Sequence, residues 1–300
     1  MQSSLPWGEL AALGSAFLWA CTSLLFTTAG RHVSPVATNA FKTVAASLLF
    51  AVALWIRDGL PFDATLQPRD IWLLAGSGVL GLTLGDSLLF LGYQILGTRR
   101  AMLVTSLYPI FGAVGAWLVL GEGMGLRPVV GMLVALAGVG FVILEKVGAV
   151  PPEGRRHFRL GILLCIGAAV GQAGGALLAK SALARADAFG ATQIRVLSAA
   201  LALIVFALLR GHLQQWVRGL SHPPVLWRVS VASFFGPFVA IFFMLYALKN
   251  ASTGVVLTLL SMSPVFLLPL GAVLQHDRVT WRETVGALVA LGGIALLVWR

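Results

Sequence analysis

Charged residues are scarce in this 300-residue sequence. Asp, Glu, Lys and Arg make up 11% of it, against about 25% in typical soluble domains. Apolar residues make up 58%, against about 45–50%. A soluble globule needs a polar shell, and so few charges cannot form one. The composition therefore excludes an ordinary cytosolic enzyme, a coiled coil and a disordered regulator, and it indicates a membrane protein.

Cysteine and histidine are also rare. Cys21 and Cys165 both lie in apolar stretches and form no CxxC, so we expect neither a disulfide nor a metal site. The five histidines fall in gaps or at span ends: His32, His157, His212, His222 and His276. An intramembrane metalloprotease or haem protein needs histidine within the bilayer. The sequence also lacks HExxH, GxSxG and P-loop motifs, so it predicts no cofactor, no metal and no catalytic residue.

The net charge is +10, but the basic residues do not form a continuous stripe. The charges instead mark the gaps between apolar runs, as expected for loops that orient a membrane protein, and nucleic acid is not an expected partner.

Ten apolar stretches are long enough to cross a bilayer, which takes about 20 residues each. They are 7–29, 35–56, 71–93, 101–120, 127–145, 159–180, 187–209, 225–247, 251–273 and 280–299. The gaps are too short for a soluble domain. The sequence therefore predicts an all-α polytopic membrane protein with ten transmembrane helices.

The sequence repeats itself at an almost constant offset. Seven of nine residues in 130–138 are identical to 285–293, 155 positions later, and the same offset pairs Pro109 with Pro264. An offset of 153 pairs Lys42 with Arg195. We therefore predict two five-helix repeats, 1–145 and 159–300, joined by the linker 146–158.

An odd number of spans places the starts of the two repeats on opposite membrane faces, so the repeats are predicted to be inverted. Inverted repeats are typical of secondary transporters, which bind substrate near the membrane midplane between the halves.

Several motifs carry a family resemblance. They are Trp19-Ala20 in the first span, Ser-Leu-Tyr-Pro at 106–109, Leu-Gly-Glu at 120–122, and Ser-Met-Ser-Pro at 261–264. In order, spacing and duplication they resemble the drug/metabolite transporter superfamily, in its ten-helix EamA-like branch, over nearly the whole chain. The resemblance implies transport of small metabolites such as amino acids, sugars, nucleotide sugars or drugs. The sequence departs from the family pattern at His276-Asp277, and it has Gln172 where the first repeat has Trp19.

Three ionisable residues lie well inside spans: Asp86, Lys42 and Arg195. Charges in hydrocarbon are costly and usually face a wet cavity or a partner. Asp86 could carry a proton or bind an amine, or it could form a packing ion pair with Lys42. Lys42 and Arg195 could bind substrate anions, or they could only cap neighbouring carbonyls. The sequence leaves both alternatives open for Asp86, and likewise for Lys42 and Arg195.

Neutral polar and aromatic residues within or near the ends of spans are further candidates for substrate or ion binding: Trp19, Asn39, Tyr93, Tyr108, Gln172, Ser261 and Ser263. Pro109 and Pro264 are predicted to bend their helices and to open the backbone near the neighbouring hydroxyls. A phenylalanine run on the eighth span could clamp an apolar substrate, or it could face lipid or core: Phe234, Phe235, Phe238, Phe242 and Phe243.

These observations favour a secondary active transporter, an exporter of a small metabolite such as an amino acid or related compound, working by alternating access around a central cavity. Asp86 makes protons the natural coupling ion. An integral-membrane transferase acting at the lipid interface is the alternative, and a channel is a third option that lacks a polar pore stripe. The expected partners are a small-molecule substrate, the lipid bilayer and protons, for a monomer or weak homodimer.

We expect a multi-pass protein of the plasma (inner) membrane. The loops on the side of the N-terminus carry seven Lys and Arg, and those on the other side carry twelve. The positive-inside rule then places the termini outside, whereas the family resemblance implies termini in the cytoplasm. The orientation stays open.

Overall fold

The computed structural model describes residues 7–29, 33–120, 125–127, 152–251, 253–274 and 280–298, together with isolated positions between 129 and 141. All regular structure within these residues is helical. The bounds of the first half are α1 Trp7–Ala29, α2 Pro35–Asp58, α3 Pro68–Gly78, a first π-helical segment Val79–Gly85, α4 Asp86–Leu96, α5 Thr98–Thr105 and α6 Tyr108–Leu120. Those of the second half are α7 Pro152–Leu183, α8 Ala188–Leu209, α9 Leu213–Leu220, α10 Pro223–Ser233, a second π-helical segment Phe234–Ala240, α11 Ile241–Asn250, α12 Thr253–Leu260, α13 Ser263–Leu274 and α14 Trp281–Val298.

Seven helical stretches in the described residues are long and apolar enough to cross a membrane. They are Trp7–Ala29, Pro35–Asp58, Pro68–Leu96, Arg100–Val119, Arg155–Leu183, Ala188–Leu209 and Pro223–Asn250. Each overlaps one of the ten predicted spans, so the prediction of an all-helical polytopic membrane protein is confirmed.

The other three predicted spans are not among these seven stretches. The span 127–145 lies largely outside the described residues, as does His276-Asp277. The span 251–273 is divided into α12 and α13, and the span 280–299 corresponds to α14. Residues 152–158, predicted as linker, belong to α7, which begins at Pro152. Proline is tolerated there because the first turn of a helix needs no backbone N–H donor.

The ends of α2 and α8 have clear local causes. Ser34 precedes α2, and its hydroxyl accepts a hydrogen bond from the N–H of Ala37 at 3.2 Å. Gly59 ends α2 with a φ of +74°, a conformation that glycine adopts at little cost. Asp187 precedes α8 and accepts from the N–H groups of Phe189 and Gly190.

The secondary structure of the second half repeats that of the first. The π-helical segments Val79–Gly85 and Phe234–Ala240 lie 155 residues apart. The helix break between α5 and α6 recurs between α12 and α13 at the same spacing. Apart from α9, which has no counterpart between α2 and α3, the described elements of the two halves follow the same order.

The halves pack across one another. Helix α1 packs on α10, the second π-helical segment and α11 to α13, while α7 packs on α3, the first π-helical segment and α4 to α6. The start of α1 and the end of α7 lie together: Gly8 approaches Ala251, and the Lys180 Nζ donates to the carbonyl of Ala251 at 3.0 Å. The equivalent helices α1 and α7 consequently run in opposite directions.

Small residues let the helices approach closely. On α7, a Cβ added at Gly171 would lie 2.9 Å from the carbonyl oxygen of Leu80, and one at Gly175 would lie 2.9 Å from that of Ser77. Such close approach is typical of helix packing in lipid. Large apolar side chains cover the outside, among them Ile56, Trp72 and Leu209, which are 77–81% exposed, as expected for a surface that faces acyl chains.

Candidate functional site: a central cavity

A cavity lies where the two halves meet. It encloses about 760 Å³ of space not occupied by atoms, its open mouth included. Its walls come from both halves. The first half contributes α1, the first π-helical segment, α4, α5 and the start of α6, and the second half contributes α7, α8, α11 and the α12–α13 junction. Most of the lining is apolar, with a few polar groups, as in small-molecule sites generally.

The structure brings nine of the sequence candidates to this cavity. They are Trp19, Asp86, Tyr93, Tyr108, Gln172, Arg195, Ser261, Ser263 and Pro264. Lys42, Asn39 and Pro109 are not among the lining residues. Lys42 lies directly behind Asp86. Asn39 donates to the carbonyl of Leu82 and to the Ser87 hydroxyl, both at 2.8 Å, and so holds the first π-helical segment against α2.

Asp86 is the acidic residue of the cavity wall. It is the first residue of α4, immediately after the first π-helical segment. Its Oδ2 accepts a hydrogen bond from the Lys42 Nζ, and its Oδ1 accepts one from the Gln172 Nε2 at 3.0 Å. Both carboxylate oxygens are therefore engaged, one from each half of the chain.

Lys42 is fully buried and sits in an aromatic enclosure. Its Nζ lies 4.7 Å from the ring centroid of Phe90, 5.3 Å from that of Trp19 and 5.8 Å from that of Phe26. Ring faces attract cations. Together with Asp86, the rings offset part of the cost of burying an ammonium group in the bilayer. Lys42 and Asp86 therefore form a buried ion pair, which is one of the two arrangements considered from the sequence.

Arg195 is the equivalent cation of the second half, and its surroundings differ. It lines the cavity and is 2% exposed. Its Nε and Nη1 have no hydrogen-bond partner within the described part of the chain. Its Nη2 faces Gly81, where an added Cβ would lie 3.2 Å away. The residue at the position of Asp86 in the second half is Ile241, which supplies no carboxylate.

Two serine hydroxyls at the cavity wall are tied to their own helices. The Ser106 hydroxyl donates to the carbonyl of Leu103 at 2.6 Å, and the Ser263 hydroxyl donates to that of Leu260 at 2.8 Å. Their lone pairs remain as acceptors at the cavity wall. Pro109 and Pro264 are each the second residue of a new helix, so the helix is interrupted just before each proline and is not merely bent.

Several lining residues were not identified from the sequence, namely Gly81, Leu82, Leu89, Met102, Thr105, Ile241, Met244 and Leu260. Helical spacing from Asp86 could have found Leu82 and Leu89, which line the cavity with Asp86 and Tyr93. The phenylalanine run does not line the cavity. Phe234 and Phe235 are exposed, and Phe238 packs against Phe50 at 4.7 Å between ring centroids.

The sequence model of one transporter family matches the chain twice, over residues 6–144 and 159–299. The chain belongs to the EamA-like transporter family. The predicted membership of the drug/metabolite transporter superfamily is thereby confirmed, and this EamA-like chain is a multi-pass membrane transporter.

Two proteins from Bacillus subtilis (strain 168) are similar in sequence to this EamA-like chain. The uncharacterized transporter YetK is 25% identical over 259 residues, covering 85% of this chain and 75% of that protein. The uncharacterized transporter YvbV is 24% identical over 299 residues, covering 95% and 90%. A protein of known crystal structure aligns with a TM-score of 0.70 at 18% identity, covering 97% of this chain and 96% of that one, and so shares the fold. Both relatives are named as transporters and neither as a transferase.

Proposed function

We propose that this protein is a secondary active transporter of the plasma (inner) membrane. It exports a small metabolite, such as an amino acid or related compound, across this membrane by alternating access. The observation that carries the proposal is a cavity built from both halves of the chain, with buried charges of both signs at its wall. A substrate held there touches both halves at once, so a rocking motion of one half against the other would change its access.

The proposal includes ten spans arranged as two inverted repeats, residues 1–145 and 159–300, an arrangement that suits alternating access. The offset of 155 residues between the π-helical segments supports the repeat. The opposite directions of α1 and α7 support the inversion. In such transporters the substrate site lies at the interface of the repeats, which is where this cavity lies.

Cysteine accessibility tests alternating access without knowledge of the substrate. Cys21 and Cys165 are unpaired and are first replaced by Ala. Ser106→Cys then places a thiol at the cavity wall. We expect a membrane-impermeant methanethiosulfonate reagent to label it in both right-side-out and inside-out vesicles, because the cavity opens to each face in turn.

Ser233→Cys is the matched control. Ser233 is buried, does not line the cavity and donates to a carbonyl of its own helix, as Ser106 does. We expect no labelling of this variant from either face. Labelling of Ser106→Cys from one face only would contradict alternating access.

Proton coupling through Asp86 is part of the proposal. A thermal-shift screen of metabolites in detergent identifies a ligand, since binding to the folded state raises its melting temperature. Uptake of that ligand into proteoliposomes is then measured against pH. If Asp86 carries the coupled proton, Asp86→Asn removes the pH dependence of uptake, and an unchanged pH dependence excludes this role.

A further inference from the structure

The two halves of the cavity are not electrically equivalent. Lys42 and Arg195 are related by the repeat, and both are buried. Lys42 has the carboxylate of Asp86 and three aromatic rings as partners. The second half has Ile241 at the position of Asp86 and Gln172 at the position of Trp19. Asp86 attracts Arg195 electrostatically, but among the described residues no carboxylate forms a salt bridge with it, as Asp86 does with Lys42.

Arg195 consequently faces the cavity with unused hydrogen-bonding capacity. Its Nε and Nη1, which carry three of the five guanidinium N–H donors, have no partner among the described residues. Among the lining residues that the structure describes, Asp86 is the one acidic residue, and both of its oxygens already accept hydrogen bonds. With Asp86 ionised, Lys42, Asp86 and Arg195 together leave one positive charge at the cavity.

A buried, unpaired guanidinium is costly, so a fold that keeps one is expected to satisfy it with a ligand. We propose that Arg195 binds the carboxylate group of the transported substrate, and that this substrate is a small organic anion with an apolar body. The apolar body faces Trp19, Leu89 and Leu260, which line the same cavity. This inference rests on the proposed transport function and adds the charge class of the substrate.

The size of the substrate's charge also follows from the site. One uncompensated cation balances one negative charge, as in a carboxylate. The lone pairs of Ser106 and Ser263 accept hydrogen bonds and so suit uncharged N–H or O–H groups elsewhere on the substrate.

Three probes with one apolar body test the charge preference: 3-phenylpropionate, its neutral amide, and 3-phenylpropan-1-amine. Binding to the purified protein in detergent is measured as the ligand concentration that gives a half-maximal rise in melting temperature. We expect the carboxylate to bind about ten- to a hundredfold more tightly than the amide, which is the usual gain of a hydrogen bond to a charged group. A carboxylate that stabilises the protein no more than its amide does would overturn the proposal.

Arg195→Gln tests the residue. We expect it to lose the preference for the carboxylate while melting, without ligand, at no lower temperature than the wild type, because an unpaired buried charge has been removed. A variant that keeps the preference would overturn the assignment to Arg195. So would a large loss of stability in the absence of ligand, because it would show that the guanidinium serves the fold.

Ile241→Asp supplies the second half with the carboxylate that Asp86 provides in the first. We expect this variant to lose carboxylate binding, and its neutral isostere Ile241→Asn to retain it. Retention in both variants would overturn the proposal. If the buried acid prevents folding, the Arg195→Gln comparison decides the matter.

Failure of this inference can be distinguished from failure of the transport proposal. Binding is read in detergent with no transport, and access of Ser106→Cys is read with no ligand. One-sided labelling with intact carboxylate preference would remove alternating access alone. Two-sided labelling without any charge preference would remove the anion assignment alone.

Discussion

Lys42 and Asp86 show how a charge can be kept inside a bilayer. The ammonium group has an acid on one side and ring faces on the others, and Gln172 from the other half of the chain holds the acid in place. Each member satisfies the next, so the group is stable only as a unit. Removing any one of them leaves a buried partner unsatisfied.

Asp86→Asn tests this interdependence. The change leaves the Lys42 ammonium buried without a counter-charge, and breaking a buried pair in this way typically costs about 3–5 kcal/mol. We expect the free energy of unfolding in detergent, followed by tryptophan fluorescence in denaturant, to fall by that order. Adding Lys42→Met to Asp86→Asn should restore most of the loss.

The double-mutant comparison supplies the control. If the two substitutions act additively, Lys42 and Asp86 are not energetically coupled and the ion pair contributes nothing specific. A double variant whose loss of stability is smaller than the sum of the losses in the two single variants would agree with the coupled arrangement.

At the scale of single elements, hydropathy predicted the spans well because a helix in lipid must be long and apolar. The identity of the buried charges was equally visible, since Asp86, Lys42 and Arg195 interrupt apolar runs. The π-helical segments were not predictable, because a wider turn depends on packing rather than on any composition signal. Their position just before Asp86 and Ile241 decides which residues reach the cavity.

Gly76 and Gly78, two positions apart on α3, offer a matched test of helix packing. An added Cβ at Gly78 would lie 2.1 Å from the carbonyl oxygen of Arg195, whereas at Gly76 the nearest atom would be 3.7 Å away. We expect Gly78→Ala to lower the melting temperature and to weaken ligand binding, because α8 must move and Arg195 with it. Gly76→Ala should be neutral or stabilising by up to about 1 kcal/mol from helix propensity.

The outcome is read from thermal melts and from the binding of 3-phenylpropionate to both variants. Equal effects of the two alanines would mean that α3 and α8 are not in close contact at Gly78.

At the scale of the whole molecule, the repeat in the sequence predicted two related halves but not how they pack. Lys42 and Arg195 could be paired by counting offsets. Helix α1 packs on the third and fourth spans of the second half, and α7 packs on the third and fourth spans of the first half. This packing depends on small residues that meet across the bundle, such as Gly171 against Gly85. The periodicity of one helix does not show which helix packs against it. The hydrogen bond from Gln172 to Asp86 could therefore not be predicted either.

The packing also divides the loops between the two ends of the bundle. At one end, the loop after α2 meets the start of α8: the Arg57 Nη1 lies 3.1 Å from the Asp187 Oδ2, and Arg185 pairs with Asp70. At the other end, Val33 packs near Gly219, in the segment after α8. The loop after α2 and its counterpart after α8 are therefore separated by the length of α2, about 36 Å for 24 residues.

The proposed inverted repeats would place these two loops on opposite sides of the membrane. With Cys21 and Cys165 replaced by Ala, we expect an impermeant maleimide to label only one of Ala64→Cys and Ser221→Cys in intact cells, and to label both after permeabilisation. Both positions are exposed and lie in those loops. Parallel repeats would give the two thiols the same accessibility, since equivalent loops would then face the same compartment. Which thiol reacts in intact cells also decides between the positive-inside count and the family resemblance, because Ala64 lies on the side of the termini in a chain of ten spans.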